Sequence, residues 1–247
     1  MPLLPLVSSL SPGAWTLAAV VALLIGFSKT SIGGLGMLAV ALLALVLPAK
    51  ESTGTALLLL LTGDLVAIWL YRRNVDWRLI GRLIPPVLVG IGVGAVFLSW
   101  TDDLVLRRTI GVILLVLTIA GFWRDKLKPD HKAVAAGYGG LAGFTTMVAN
   151  AGGPAMNLYL LAARYDKWRF LGTTAWFFFI VNVTKLPISL GLGIVRADTF
   201  ATVLVLVPLV LFGAWIGSIV IKHIDQKWFE LLVTVFVALT ALYLTFW

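Results

Sequence analysis

Long apolar runs, cut at charges and at clusters of glycine or proline, organise the chain. They fall at about 14–27, 35–47, 54–71, 79–99, 104–123, 133–145, 154–163, 170–194, 199–221 and 228–246. A helix needs about 20 apolar residues to cross a hydrocarbon core. Six runs therefore predict full crossings, while the first, second, sixth and seventh, holding only about 10 to 14 residues, predict shorter helices. The short ones form two pairs, each joined through a polar, glycine-bearing centre: "SKTSIGGLG" at 28–36 and "TTMVANAGG" at 145–153. Such pairs predict hairpins or discontinuous helices, which are tolerated at membrane depth only where protein buries them or a cavity wets them.

Composition fixes the environment of these helices. With 60% hydrophobic and 12% charged residues and a mean hydropathy of +1.03, the chain reads as an integral membrane protein in a lipid bilayer. It has no cysteine, which excludes disulfides and thiolate metal sites. The net charge of +8 sits in loops between apolar runs, so the positive-inside rule accounts for it and nucleic acid is not expected as a partner. No Lys or Arg precedes the first run, so the charged start of a cleavable signal peptide is missing.

The chain also repeats itself. "GFSKTSIGGLGM" from Gly26 answers "GFTTMVANAGGPAM" from Gly143, and "TGTAL" at 53–57 answers "LGTTA" at 171–175. Asp64 falls opposite Asn182, and Pro85, Gly90, Gly94 and Asp102 match Pro208, Gly213, Gly217 and Asp225 at one constant offset. The fold expected is all-α and polytopic, with two inverted repeats, each a glycine-broken short-helix hairpin followed by three transmembrane helices. The repeats occupy residues 1–123 and 133–247, joined by a basic cytoplasmic linker at 124–132, "RDKLKPDHK". Three full crossings per half, an odd number, would turn the second half upside down. Under that topology 13 bases (Arg72, Arg73, Arg78, Arg82, Arg124, Lys126, Lys128, Lys132, Arg164, Lys167, Arg169, Lys222, Lys227) share one side, against Lys50, Arg107, Arg108 and Arg196 on the other. The richer side is then cytoplasmic, and both termini lie outside the plasma membrane. Ten full crossings would give the same sides.

Two bases fall outside this count. Lys29 lies at the first hairpin tip, and Lys185 lies inside a crossing, about 11 residues or some 16 Å from its outer end. A cation near the midplane costs at least ~2.5 kcal/mol, so an intramembrane lysine is a functional candidate by default; snorkelling to the interface is the plain alternative. Around them gather Ser28, Thr30, Ser31 and Asn150, the amides near Gly33, Gly34, Gly152 and Gly153, and Asn182 with Thr184. Helices that begin at a glycine-rich break aim unpaired N–H groups and a positive dipole end at whatever occupies it. With a lysine from each half, the pattern predicts a cradle for a small oxyanion made of Lys29, Thr30, Ser31, Gly33, Gly34, Asn150, Gly152, Gly153, Asn182 and Lys185. Asp64 beside an anion site is repulsive, so it reads as a coupling or gating group that pairs with a lysine or takes a proton; a structural pair is the alternative. Trp176 in "WFFF" fits an interfacial belt better than a ligand box.

Signals for enzymatic chemistry are missing. His131 and His223 are in loops, no HExxH or P-loop occurs, and no spacing assigns a nucleophile and base, so neither an enzyme nor a bound metal or cofactor is expected.

From Gly26 to Trp247 the chain resembles the TSUP family, also called the TauE/SafE or sulfite exporter family. The likeness rests on Gly33, Gly34 and Gly36 in "IGGLGM", on Gly152 and Gly153 in "NAGGPAM", and on "GTTAWFFFIVN" at 172–182 with "KLP" at 185–187. In this chain a proline follows the second glycine cluster directly at Pro154, but the first only at Pro48. The resemblance implies a secondary carrier of sulfite or a small organosulfonate, commonly an exporter. Joined to the two lysines and paired breaks, it predicts an alternating-access transporter of a small sulfur-containing anion such as sulfite or sulfoacetate. Uptake, unlike export, would need coupling, for which a proton on Asp64 is the candidate. An anion channel, a proton-coupled carrier of another small organic anion, and a structural membrane subunit are the competing readings.

Overall fold

The computed structural model describes residues 11–32, 35–43, 47, 49–100 and 131–246. These form helices α1 (Pro12–Thr30), α2 (Leu35–Leu43), α3 (Ala49–Tyr71), α4 (Trp77–Trp100), α5 (Lys132–Ala149), α6 (Gly153–Ala162), α7 (Lys167–Gly191), α8 (Ala197–His223) and α9 (Gln226–Phe246). The crossing expected at 104–123, the linker residues up to 130, and Gly33 and Gly34 lie outside the described residues. Among the described residues, α1, α3, α4, α7 and α8 are long and apolar enough to cross a membrane. Their outer faces carry bare apolar side chains such as Val89 (68% exposed) and Leu204 (73%), a surface that water would penalise and acyl chains accept. The chain is an all-helical, polytopic membrane protein.

The first helix is longer than its apolar run implied. Ser11 caps it by accepting from the Ala14 amide at 3.2 Å, with Pro12 in the first turn, where its missing N–H costs nothing. At the other end the polar residues Ser28 to Thr30 stay helical. The Ser31 hydroxyl turns back to the Phe27 carbonyl at 2.6 Å, and the Thr30 hydroxyl finds a carbonyl acceptor on a neighbouring helix, so neither needs water. The result is a 19-residue helix with Lys29 in its last turn rather than at a hairpin tip. Helix α5 likewise runs 18 residues, through Thr145 and Thr146, and stops where Asn150 adopts a left-handed conformation (φ 53°, ψ 27°). Among the described residues only α2 and α6 are short, at 9 and 10 residues.

Glycines set the closest helix pairs. A Cβ on Gly26 of α1 would stand 2.0 Å from the Val210 carbonyl oxygen of α8, and one on Gly213 would stand 2.1 Å from the Leu23 oxygen. The same contacts recur between α4 and α5: Gly143 against the Val87 oxygen at 2.1 Å and Gly90 against the Gly140 oxygen at 2.1 Å. Such spacing requires residues without side chains, the usual device where helices approach closely in lipid.

Between these pairs α3 and α7 run antiparallel. Gly54 faces Ile194 at one end, Gly172 faces Asn74 at the other, and Asp64 meets Asn182 in the middle. At one end of the molecule the α3–α4, α6–α7 and α8–α9 connections converge. Arg169 reaches Asp76 at 2.6 Å, and Lys167 donates to the carbonyls of Ile221 and Ile224. Around that convergence lie Arg72, Arg73, Arg78, Arg164 and Lys222 in sequence.

Candidate functional site

The crossing of α3 and α7 holds the buried charges. Lys29 Nζ lies 2.5 Å from Asp64 Oδ1, and Asn182 Nδ2 donates to Asp64 Oδ2 at 2.8 Å. The Asp64 side chain is fully shielded while that of Lys29 keeps 13% exposure. Its ammonium also stands 4.9 Å from the centre of the Phe178 ring, where the ring face attracts a cation. Gly63 makes room for this arrangement, since a Cβ there would come within 2.8 Å of Lys29 Cγ. Taking two charges from water is costly, and the pair is tolerable because both carboxylate oxygens have donors.

Lys185 sits in a different shell. The whole residue is 1% exposed, so it does not snorkel to the interface. It donates to Asn150 Oδ1 at 2.6 Å and Thr146 Oγ1 at 3.2 Å, and Asn150 in turn donates from Nδ2 to the Thr53 carbonyl at 3.1 Å. The left-handed turn at Asn150 aims its side chain at Lys185, an assignment that a β-branched residue could not fill without strain. Thr146 matches Lys29 when Gly26 is set against Gly143, and Lys185 is three positions past Asn182, on the same face of α7. A lysine contact thus joins α1 to α3 (Lys29 to Asp64) and another joins α5 to α7 (Thr146 to Lys185), with the lysine on opposite partners.

Between these groups is a cavity of about 70 Å³, room for a few waters or one small polyatomic ion. Ser28, Lys29, Asp64, Asn150, Gly153 and Asn182 reach its wall, as do Thr146, Asn157, Thr174 and Phe178. Of the residues predicted from sequence, Lys29, Asp64, Asn150, Gly153 and Asn182 are therefore brought together here. Lys185 stands behind Thr146 and Asn150 instead of in the wall. Thr30 turns its hydroxyl to the Ala214 carbonyl at 2.8 Å, tying α1 to α8, and Ser31 bonds within its own helix. Gly152 packs against Ala142 and Thr146 at the start of α6. Trp176 packs against Trp77 as a tilted aromatic pair, ring centres 4.9 Å apart.

Sequence reasoning passed over Thr146, Asn157, Thr174 and Phe178. Thr146 was reachable through its match to Lys29, and Asn157 is a lone amide in the apolar run "MNLYLL". Asn157 is 1% exposed, and among the described residues neither its Oδ1 nor its Nδ2 has a hydrogen-bond partner; the Thr174 hydroxyl has none either. An unpaired buried amide costs about 1–3 kcal/mol, so such a group demands a reason.

A second cluster lies at the convergent end. Asp76 accepts from the Tyr165 hydroxyl (2.5 Å), Arg169 (2.6 Å) and the Leu79 amide (3.0 Å). Burial pushes its carboxyl up, but these donors outweigh burial and hold it below the ordinary 3.8. Burial and the Asp76 carboxylate together push the Tyr165 hydroxyl up.

A partly open pocket that holds an ion pair among the helices of a polytopic membrane protein defines a class: membrane proteins that handle a small polar solute within the bilayer. Residues 18–244 match the family described as sulfite exporter TauE/SafE. The match spans nearly the whole chain, which belongs to that family of membrane transporters. No curated protein and no solved structure shows significant similarity to it.

Proposed function

We propose that the protein is a secondary transporter that exports a small sulfur-containing oxyanion, sulfite or an organosulfonate such as sulfoacetate, by alternating access. The observation that carries this reading is a partly open cavity lined by Lys29 and Asp64, with the buried Lys185 standing directly behind its wall. That excess of one basic group leaves a place for a negative charge, and a small anion supplies it. In the empty protein Asp64 occupies Lys29. An arriving oxyanion competes for the same ammonium, so Asp64 acts as the gating group, and protonation of its carboxyl would release Lys29 fully. Lys185 adds attraction through Asn150 and Thr146 without touching the anion itself. Export down an inside-negative potential gains about 2.3 kcal/mol per charge at 100 mV, so it needs no coupling ion.

Alternating access requires two halves that can exchange roles. Residues 1–123 and 133–247 serve as those halves, inverted with respect to one another and joined by the linker at 124–132. Support comes from the antiparallel α3 and α7 meeting at the matched positions Asp64 and Asn182, and from the glycine contacts that recur when one half is exchanged for the other. The convergent end, with its arginines and lysines, is the cytoplasmic one under the positive-inside rule, which puts both termini outside the plasma membrane.

The test is thermal stabilisation of the purified protein by sulfite, sulfoacetate, taurine, sulfate and thiosulfate, in wild type and in Lys185→Met. Stabilisation by at least one sulfur oxyanion in wild type, weakened in the variant, is the expected result. A wild-type protein indifferent to every anion in the panel would sink the reading.

A further inference from the structure

Asn157 has no counterpart in the ion-pair chemistry just described. It projects from α6, whose residues Pro154 to Leu161 are all buried, and it reaches the cavity wall. The polar groups that share that wall are already engaged. Lys29, Asp64 and Asn182 bond one another, Thr146 and Asn150 serve Lys185, and Ser28 bridges the Ile32 carbonyl and the Gly36 amide. Among the described residues, Asn157 and the Thr174 hydroxyl are left without a partner at the cavity's edge, their polar atoms shielded by their neighbours.

We propose that Asn157 reads a hydrogen-bond donor on the transported anion; the inference rests on the anion-carrier reading above. A side-chain amide offers one acceptor and two N–H donors whichever way it is flipped. An oxyanion that presents only acceptor oxygens can satisfy Nδ2 and the Thr174 hydroxyl, but it sets its own lone pairs against Oδ1. An anion that also carries an O–H or N–H satisfies both ends of the amide. The substrate class is therefore a small oxyanion with a donor: a hydroxyl- or amino-substituted sulfonate, or the acid form of the oxyanion itself. A purely structural amide at this position would be expected to bond its neighbours, and a leucine would fill the space without leaving polar atoms unpaired.

The experiment compares binding of isethionate and ethanesulfonate, alike but for one hydroxyl, to the purified full chain, and of sulfite below and above its second ionisation. Each is measured in wild type and in Asn157→Leu. Isethionate binding at least about tenfold tighter than ethanesulfonate, with the ratio falling towards one in the variant while ethanesulfonate binding persists, supports a substituent donor. A preference for the acid form of sulfite that Asn157→Leu removes supports the protonated oxyanion. Equal binding of both sulfonates together with indifference to sulfite protonation overturns the inference and leaves the carrier reading intact, as does a preference that survives in the variant. Failure of every anion to bind wild type overturns both. Should the variant not fold, the wild-type comparison decides alone.

Discussion

Lys29 with Asp64, and Arg169 with Asp76, are ion pairs of nearly the same length, 2.5 and 2.6 Å. Their surroundings differ. The inner pair has side-chain exposures of 13% and 0%, the outer pair 51% and 14%. Coulomb attraction across a given distance grows several-fold as the effective dielectric falls from water to a protein interior, and so does the cost of leaving either charge alone. Equal geometry therefore carries unequal energy: stranding one partner of the inner pair costs far more than stranding one of the outer pair, which fastens the start of α7 to the α3–α4 connection.

The largest effect tests the inner pair. Lys29→Met should strand the Asp64 charge and destabilise the protein by about 3–5 kcal/mol, and Lys29→Met with Asp64→Asn should recover most of that. Denaturation of the singles and the double measures it; additive losses would mean the two side chains act independently. Next come the close helix pairs that frame the site. Gly26→Ala and Gly143→Ala should each cost about 1–3 kcal/mol or more, because a methyl cannot fit against a carbonyl oxygen held that close. Similar losses in thermal melts would show the two interfaces to be equivalent.

Lys185→Met should leave the fold intact, since it replaces a buried ammonium held by neutral oxygens with an apolar chain of similar length. It should weaken oxyanion binding by about tenfold, roughly 1.4 kcal/mol, as read by calorimetry. The smallest effect belongs to the outer pair. Arg169→Gln should cost at most about 1 kcal/mol after solvent screening. Because the Asp76 carboxyl is held below 3.8 in the folded protein, its contribution is complete above that value and is lost as pH falls through the folded one. Asp76→Asn should flatten this acid limb of the stability profile; an unchanged limb would assign it to other carboxylates.

The long helices among the described residues, the glycine pairs and the burial of Lys185 were legible in the chain because each leaves a one-dimensional trace: a run length, a recurring offset, a charge within an apolar stretch. Helix ends were less so. The apolar run stops near Phe27, yet α1 continues because the Ser31 hydroxyl bonds the Phe27 carbonyl and the Thr30 hydroxyl bonds the Ala214 carbonyl of α8, a compensation that hydropathy does not register. Thr30 and Ser31 were expected to meet the solute for their polarity alone, and that polarity is consumed by carbonyls. Asn157 was passed over for the converse reason. Its surroundings in sequence are those of a packed helix, and only three dimensions reveal an amide with nothing to bond.

The pairing of α1 with α8 bears on biogenesis. A nascent chain inserts its first helix long before the segment that buries Gly26 has left the ribosome, so that helix must wait among lipids with a bare groove and Lys29 nearby. Such a precursor is exposed to misassembly until synthesis is almost finished.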